Sequence, residues 1–188
     1  MRIGHSSSIS MTVLCDAILA ENLDLHIVDC AGYHDTRGFE INIGNNVNLK
    51  AHISHANTVK VVLLLNYKAL EVSRGKDVED MLEMCYQIFQ SKEQFLKHKE
   101  SILVSVTRVP NDVTFKNVEE IFSENQTPEF QMLSERLIIF DICEEKKIIG
   151  SLSYKQCHEK ILSLKPIRKP EDQFKIALSV SDESELIK

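Results

Sequence analysis

The stretch HIVDCAGYHDTRG (residues 26–38) joins an apolar run to an aspartate, Asp29, and then sets glycines at 32 and 38 among polar residues. An apolar run closed by an acid reads as a strand whose carboxyl end carries a carboxylate. In open α/β sheets, ligands gather beyond the carboxyl ends of the strands. A carboxylate there can hold magnesium, a hard cation that keeps much of its own water. Three residues on, Gly32 offers a backbone N–H that a phosphate oxygen can approach with no side chain in the way. Asp29 is thus a candidate magnesium ligand and Gly32 a candidate phosphate sensor. The same spacing also serves as ordinary strand-and-turn punctuation.

Upstream, residues 1–12 (MRIGHSSSISMT) are polar and serine-rich and read as a loop. Residues 12–19 and 23–28 are short β-prone runs separated by Ala20, Glu21 and Asn22, which predicts a hairpin with the second strand more buried than the first. Downstream, Ile43, Val47, Ala51 and Ile53 fall near helical spacing and predict a helix over 41–57. The run VKVVLLL (59–65) predicts a strand buried on both faces of a parallel sheet. Residues 77–89 repeat apolar side chains as an amphipathic helix does. SILVSVTRV (101–109) predicts a second buried strand, stopped by Pro110. A helix over 113–122, a strand over 137–142 and a closing helix over 154–164 complete the pattern. Strands alternating with helices imply a mostly parallel α/β sheet covered on both faces, with the hairpin as an antiparallel edge. Pro166 and Pro170 then interrupt KPIRKPEDQ, so 166–188 reads as a linker or tail after a domain spanning 1–165.

The chain has 188 residues, 43% hydrophobic and 27% charged, which suits one globular α/β domain with a tail. Net charge is −6 with no long block of one sign, which argues against nucleic acid as a partner. No apolar run reaches the ~18–20 residues of a membrane span, and the start lacks the order of a signal peptide. Cys15, Cys30, Cys85, Cys143 and Cys157 are odd in number and scattered, the usage of reduced thiols in a cytoplasmic protein. His52 and His55 stand three apart on one predicted helix face; without a third ligand they read as a solvated face rather than a metal site.

VDCAGYHDTRG resembles the switch II segment, V-D-T-P-G-F-x-D-T-R-G, of septin-like and immunity-associated P-loop GTPases. Asp29 and Gly32 match its invariant pair, Asp35 to Gly38 match the downstream part, and Cys30-Ala31 replace Thr-Pro. The order of elements follows the family over residues 1–165: hairpin, VVLLLN, long helix, ILVSVT. The resemblance implies a three-layer G-domain sheet, GTP or GDP as ligand and magnesium as cofactor. It puts Thr12 where switch I reaches magnesium and the terminal phosphate; a β-branched residue opening a strand is an equal reading of Thr12. It puts Thr107, Arg108 and Asp112 at the base-reading motif, where Pro110 takes the place of the base-reading acid and Asp112 comes two residues late. Asp112 could read a base only if the loop bends differently; Asn111-Asp112 read rather as the cap of the next helix. Tyr33 stands where a water-positioning glutamine would follow Gly32, which implies slow hydrolysis. His34 beside it reads as an exposed loop histidine.

No G-x-x-x-x-G-K-[ST] string occurs, and that loop's amides and lysine make most phosphate contacts. By the resemblance, this chain begins at about switch I and lacks the P-loop strand between the strand ending at Asp29 and VVLLL. About five missing apolar side chains at roughly 1.5–3 kcal/mol each amount to about 8–15 kcal/mol, against a net stability of about 5–15 kcal/mol. An upstream part, direct closure of the flanking strands or a partner's strand would each resolve that deficit. Two functions stay open: a partial GTP-binding domain that needs an upstream P-loop, and a degenerate G-like module that self-associates or binds a protein partner without nucleotide.

Overall fold

The computed structural model describes residues 15–20, 24–30, 39–73, 76–123, 127–140 and 154–175. The chain divides into two units, 1–57 with 87–90 and 169–188, and 58–86 with 91–168. It is a mixed α/β protein with one three-stranded parallel sheet and two small antiparallel ones among the described residues.

In the first unit, β1 (Asp16–Ala20) and β2 (Leu25–Asp29) form the expected antiparallel hairpin, running from Asp16↔Asp29 to Ala20↔Leu25. Asp24 enters β2 with φ 49, a left-handed conformation that aspartate tolerates in turns. Neither strand is a core strand, for Ile18 and its partner Ile27 are both exposed. The helix α1 (Phe39–His55) covers most of the predicted span. Asn45 and Ile53 are buried and Leu49 between them partly so, an i, i+4 stripe, while Val47 is exposed. Of the four residues whose spacing predicted the helix, Ile53 is buried and Ile43 partly so, whereas Val47 and Ala51 are exposed.

The supposed tail includes folded residues, 167–175. The short helix α8 (Pro170–Gln173) packs against α1. The ammonium of Lys50 donates to the carbonyl oxygens of Phe174 (2.6 Å) and Glu171 (3.3 Å). The Phe174 ring sits 4.7 Å from that of Phe89, and the Lys175 amide donates to the Ile88 carbonyl at 2.9 Å. Pro170 and Phe174 are isolated apolar residues in a polar sequence, so pattern alone does not reveal them as anchors.

The second unit is built on β4 (Val61–Asn66), β5 (Ile102–Thr107) and β6 (Leu137–Ile139), parallel and in that spatial order. Leu63 pairs with Val104, and Val104 with Leu137. All of 102–106 is buried, as expected of a central strand. On one face Leu103 and Ile138 pack against Cys157 and Leu164, in and just after α7 (Tyr154–Ser163). On the other face, α5 (Phe115–Ser123) and α6 (Pro128–Glu135) lie against β6 and β5 respectively. Val118, Phe122 and Leu133 are essentially inaccessible there. β4 departs from the expectation of burial on both faces. Leu63 and Leu65 are buried, but Val62 is 37% and Leu64 68% exposed. Opposite residues of a sheet share a face, so Val62 and Leu64 lie on the side where Leu103 meets α7. The cover over β5 and β6 does not extend over β4.

α2 (Tyr67–Ser73) follows β4 directly and was not foreseen, α3 (Lys76–Ile88) is the predicted amphipathic helix, and α4 (Lys92–Lys97) is new. Ser91 caps α4, its side chain accepting from the Gln94 amide at 3.2 Å. β3 (Thr58–Val59) pairs antiparallel with β7 (Ile167–Arg168), in what the sequence presented as linker. Lys60 donates to the Ile161 and Leu162 carbonyls at the end of α7, a cation placed at the negative pole of a helix.

In the first turn of α6, buried Glu129 lies 2.7 Å from the Lys92 ammonium. Burial pushes the Glu129 carboxyl up, but the Lys92 bond and nearby hydrogen bonds prevail and hold it below its ordinary value of 4.5. A carboxyl lowered by folding stabilises the fold above its unfolded pKa, and that contribution is lost as pH falls through the folded one. Urea titrations between pH 6 and 3 will therefore show the wild-type chain losing more stability on acidification than Glu129→Gln. Phe122→Ala is expected to cost about 3–5 kcal/mol in the same assay. Leu64→Ser should stay within about 0.5 kcal/mol, because its side chain is already in water.

Candidate functional site

The residues that can act on a ligand in the second unit lie where its parallel strands end. Asn66 closes β4, and its ladder partner Thr107 closes β5. Each has a local task. The Asn66 side chain accepts from the Lys68 amide at 3.0 Å and so starts α2. The Thr107 hydroxyl donates to the Leu65 carbonyl at 3.2 Å, tying the two strand ends together. Immediately after it, Arg108 is exposed and left-handed at φ 56. A non-glycine residue pays roughly 1–2 kcal/mol for that conformation. The turn that follows leads to α5 through Pro110, whose carbonyl accepts from the Val113 amide.

Asp112 is exposed in this turn. It does not cap α5, and the expectation that Asn111-Asp112 would do so is corrected by Thr114. The Thr114 hydroxyl accepts from the Asn117 amide at 3.4 Å, while the Asn117 side chain accepts from the Thr114 amide at 2.9 Å. This is a reciprocal capping box with asparagine in the usual glutamate place. Asp112 is thereby left available at the sheet edge, close enough to Tyr67 to affect it. Burial pushes the Tyr67 phenol up, and the carboxylates of Glu71 and Asp112 add to the effect. Thr107, Arg108 and Asp112, named from the sequence, thus gather at one end of the sheet. Asn66 and Tyr67 join them and were missed. The signal for Asn66 was a polar residue closing an apolar run, the same feature that singled out Asp29.

In the first unit, Asp29 ends β2 directly across from Asp16, half-buried. It closes a strand of an antiparallel hairpin, not of the parallel sheet. Two carboxylates side by side are hard oxygen donors of the kind magnesium takes, and magnesium needs only one or two of them when phosphates complete its shell. Asp29 and Asp16 thus supply at most part of a magnesium shell. Thr12, Gly32, Tyr33 and His34 lie outside the described residues. Among the described residues, no group of three or more His, Cys, Asp or Glu side chains could hold a metal by itself. His55 turns Nδ1 to the Ala51 carbonyl at 2.7 Å, so one ring nitrogen of the His52/His55 pair is engaged on its own helix. No helix among the described residues is long and apolar enough to cross a membrane.

Compared with protein-family models, curated proteins and solved structures, the chain matches none.

Arg108 gives the edge a measurable signature. Strain at a sheet end persists where the surroundings or a task require it. Arg108→Gly removes the strain and is expected to raise the urea midpoint by the equivalent of about 0.5–1 kcal/mol. An unchanged or lowered midpoint would mean that the arginine side chain contributes more to the fold than its backbone costs.

Proposed function

We propose that this chain is the distal part of a P-loop GTPase-like domain of the septin-like or immunity-associated kind. On this reading it binds GTP or GDP with magnesium only when a phosphate-binding loop is supplied. The observation that carries the reading is β4. It is the edge of the parallel sheet among the described strands, and it leaves one apolar face uncovered. A P-loop unit is a strand, a glycine-rich loop and a helix. Such a unit would add a strand to that edge and a helix over that face, filling both gaps together. The spatial order β4-β5-β6 and the separate hairpin ending at Asp29 are consistent with the arrangement.

With such a unit in place, Asp29 and Thr12 would hold magnesium, which neutralises phosphate charge, and Gly32 would approach the terminal phosphate. Arg108 and Asp112 would stand toward the base. Thr107 is a weaker base-reading candidate, since its hydroxyl already serves the Leu65 carbonyl. Hydrolysis would be slow with Tyr33 beside the attacking water. A cytoplasmic location accords with the reduced-thiol usage.

The exposure of Leu64 also favours a second reading, in which the chain is a degenerate G-like module and the bare face of β4 meets another protein or a second copy. Nucleotide titration separates the two. The 188-residue chain alone is expected to bind a fluorescent GDP analogue with magnesium no better than the high micromolar range, because it lacks the cradle. Submicromolar binding would sink the requirement for a P-loop. In a chain extended by a P-loop unit, affinity should rise and Asp29→Ala should lower it, whereas Tyr33→Ala should leave it nearly unchanged. If the extended chain still binds no nucleotide, the interaction module is the correct reading.

A further inference from the structure

The open end of the hairpin carries a second chemistry that the nucleotide reading does not use. Asp16 faces Asp29 as the last pair of the β1–β2 ladder, so the next residue outward on each strand is a cysteine, Cys15 and Cys30. Residues opposite one another across antiparallel strands point to the same face with Cβ atoms about 4.5–5.5 Å apart. A disulfide needs about 3.5–4.5 Å, a small inward step at the end of a two-stranded ribbon. We propose that Cys15 and Cys30 are a reversible thiol–disulfide pair, a modification site for low-molecular-weight disulfides such as oxidised glutathione.

Neither cysteine is in a disulfide, and their access is unequal. Cys30 is exposed, whereas Cys15 is 7% exposed and directs its thiol weakly toward the Asn45 carbonyl of α1, at 4.0 Å. The Cys30 thiol points weakly toward the Val28 carbonyl of its own strand, at 3.7 Å. Cys85 and Cys157 are buried in the second unit, and burial pushes both thiols up, Cys85 to about 12.

The unequal access sets the order of steps. Exposed Cys30 gives up its proton and attacks one sulfur of glutathione disulfide; that S–S bond breaks and one glutathione leaves as its thiolate, with a mixed disulfide on Cys30. Cys15 then loses its proton and attacks the Cys30 sulfur, expelling the second glutathione and forming the Cys15–Cys30 bond. Two electrons and two protons pass from the protein to one glutathione disulfide, giving two molecules of glutathione. The new bond brackets the Asp16/Asp29 pair and fixes the open end of the hairpin.

The full chain is treated with excess oxidised glutathione, alkylated under denaturing conditions and cleaved after glutamate. Glu21 lies between the two cysteines and no lysine or arginine does, so this cleavage reports the bond and trypsin does not. The fragments bearing Cys15 and Cys30 are expected to stay joined until reduced, with the chain lighter by two hydrogens. Hydrogen exchange of the hairpin amides should slow by about tenfold on oxidation, and the Cys15→Ser/Cys30→Ser double variant should show no change under the same treatment. Cys30→Ser, altered only at the exposed position, should take up no glutathione on Cys15. A lasting glutathione adduct on Cys30 with Cys15 still alkylatable would overturn the proposal. So would a Cys30 bond to a second chain, or the absence of any Cys15–Cys30 bond.

Discussion

β5 exchanges main-chain hydrogen bonds with strands on both sides and buries residues 102–106 on both faces. A one-residue slip against either neighbour would turn a whole set of side chains to the opposite face. Leu103 would leave the cluster around α7, and Val104 would leave the face covered by α5 and α6. The register of β4 and β6, and with it the positions of Asn66 and Thr107, thus follows from the burial of one six-residue strand. The carboxyl edge can hold a strained arginine because the strand behind it is fixed.

The burial of β4 qualifies the energetic argument raised by the missing P-loop strand. An estimate of about 8–15 kcal/mol assumes that every neighbour of the absent strand keeps its contacts and merely loses that partner. β4 relies on one face instead. Leu63 and Leu65 share the buried side with Val104 and Val106, while Val62 and Leu64 on the other side meet water. The local cost is the exposure of two side chains, not the collapse of a sheet. The hairpin, whose described strands are exposed along most of their length, is another matter. Its attachment depends on few buried groups, Cys15 among them.

The sequence made the parallel strands and long helices legible where periodicity and burial coincide, as in ILVSVT and the helix of residues 76–88. It misled where a short apolar run was read as doubly buried: VVLLL looks the same whether one face is covered or two, and only its neighbours decide. The shorter helices carried start signals that pattern counting passed over. Ser91 followed three residues later by Gln94 is the spacing of a capping box, and Thr127-Pro128-Glu129 is a helix entry with proline in the first turn. The folding of 167–175 was invisible because Ile167, Pro170 and Phe174 stand singly, and single anchors have no period.

The candidate edge shows the same division between legible type and illegible position. Arg108 and Asp112 could be named from their place after a buried strand, but their freedom could not. Capping of α5 looked like the business of Asn111 and Asp112, yet a reciprocal pair, Thr114 with Asn117, satisfies the helix start and leaves Asp112 outside it. Thr107 went the other way, its hydroxyl drawn into binding the Leu65 carbonyl. A polar residue at a strand end can serve the fold or a ligand, and which it serves is settled by whether a neighbour already satisfies the fold. By that criterion Arg108 and Asp112, both exposed and neither capping the next helix, are the groups at this edge with the most capacity left for a ligand.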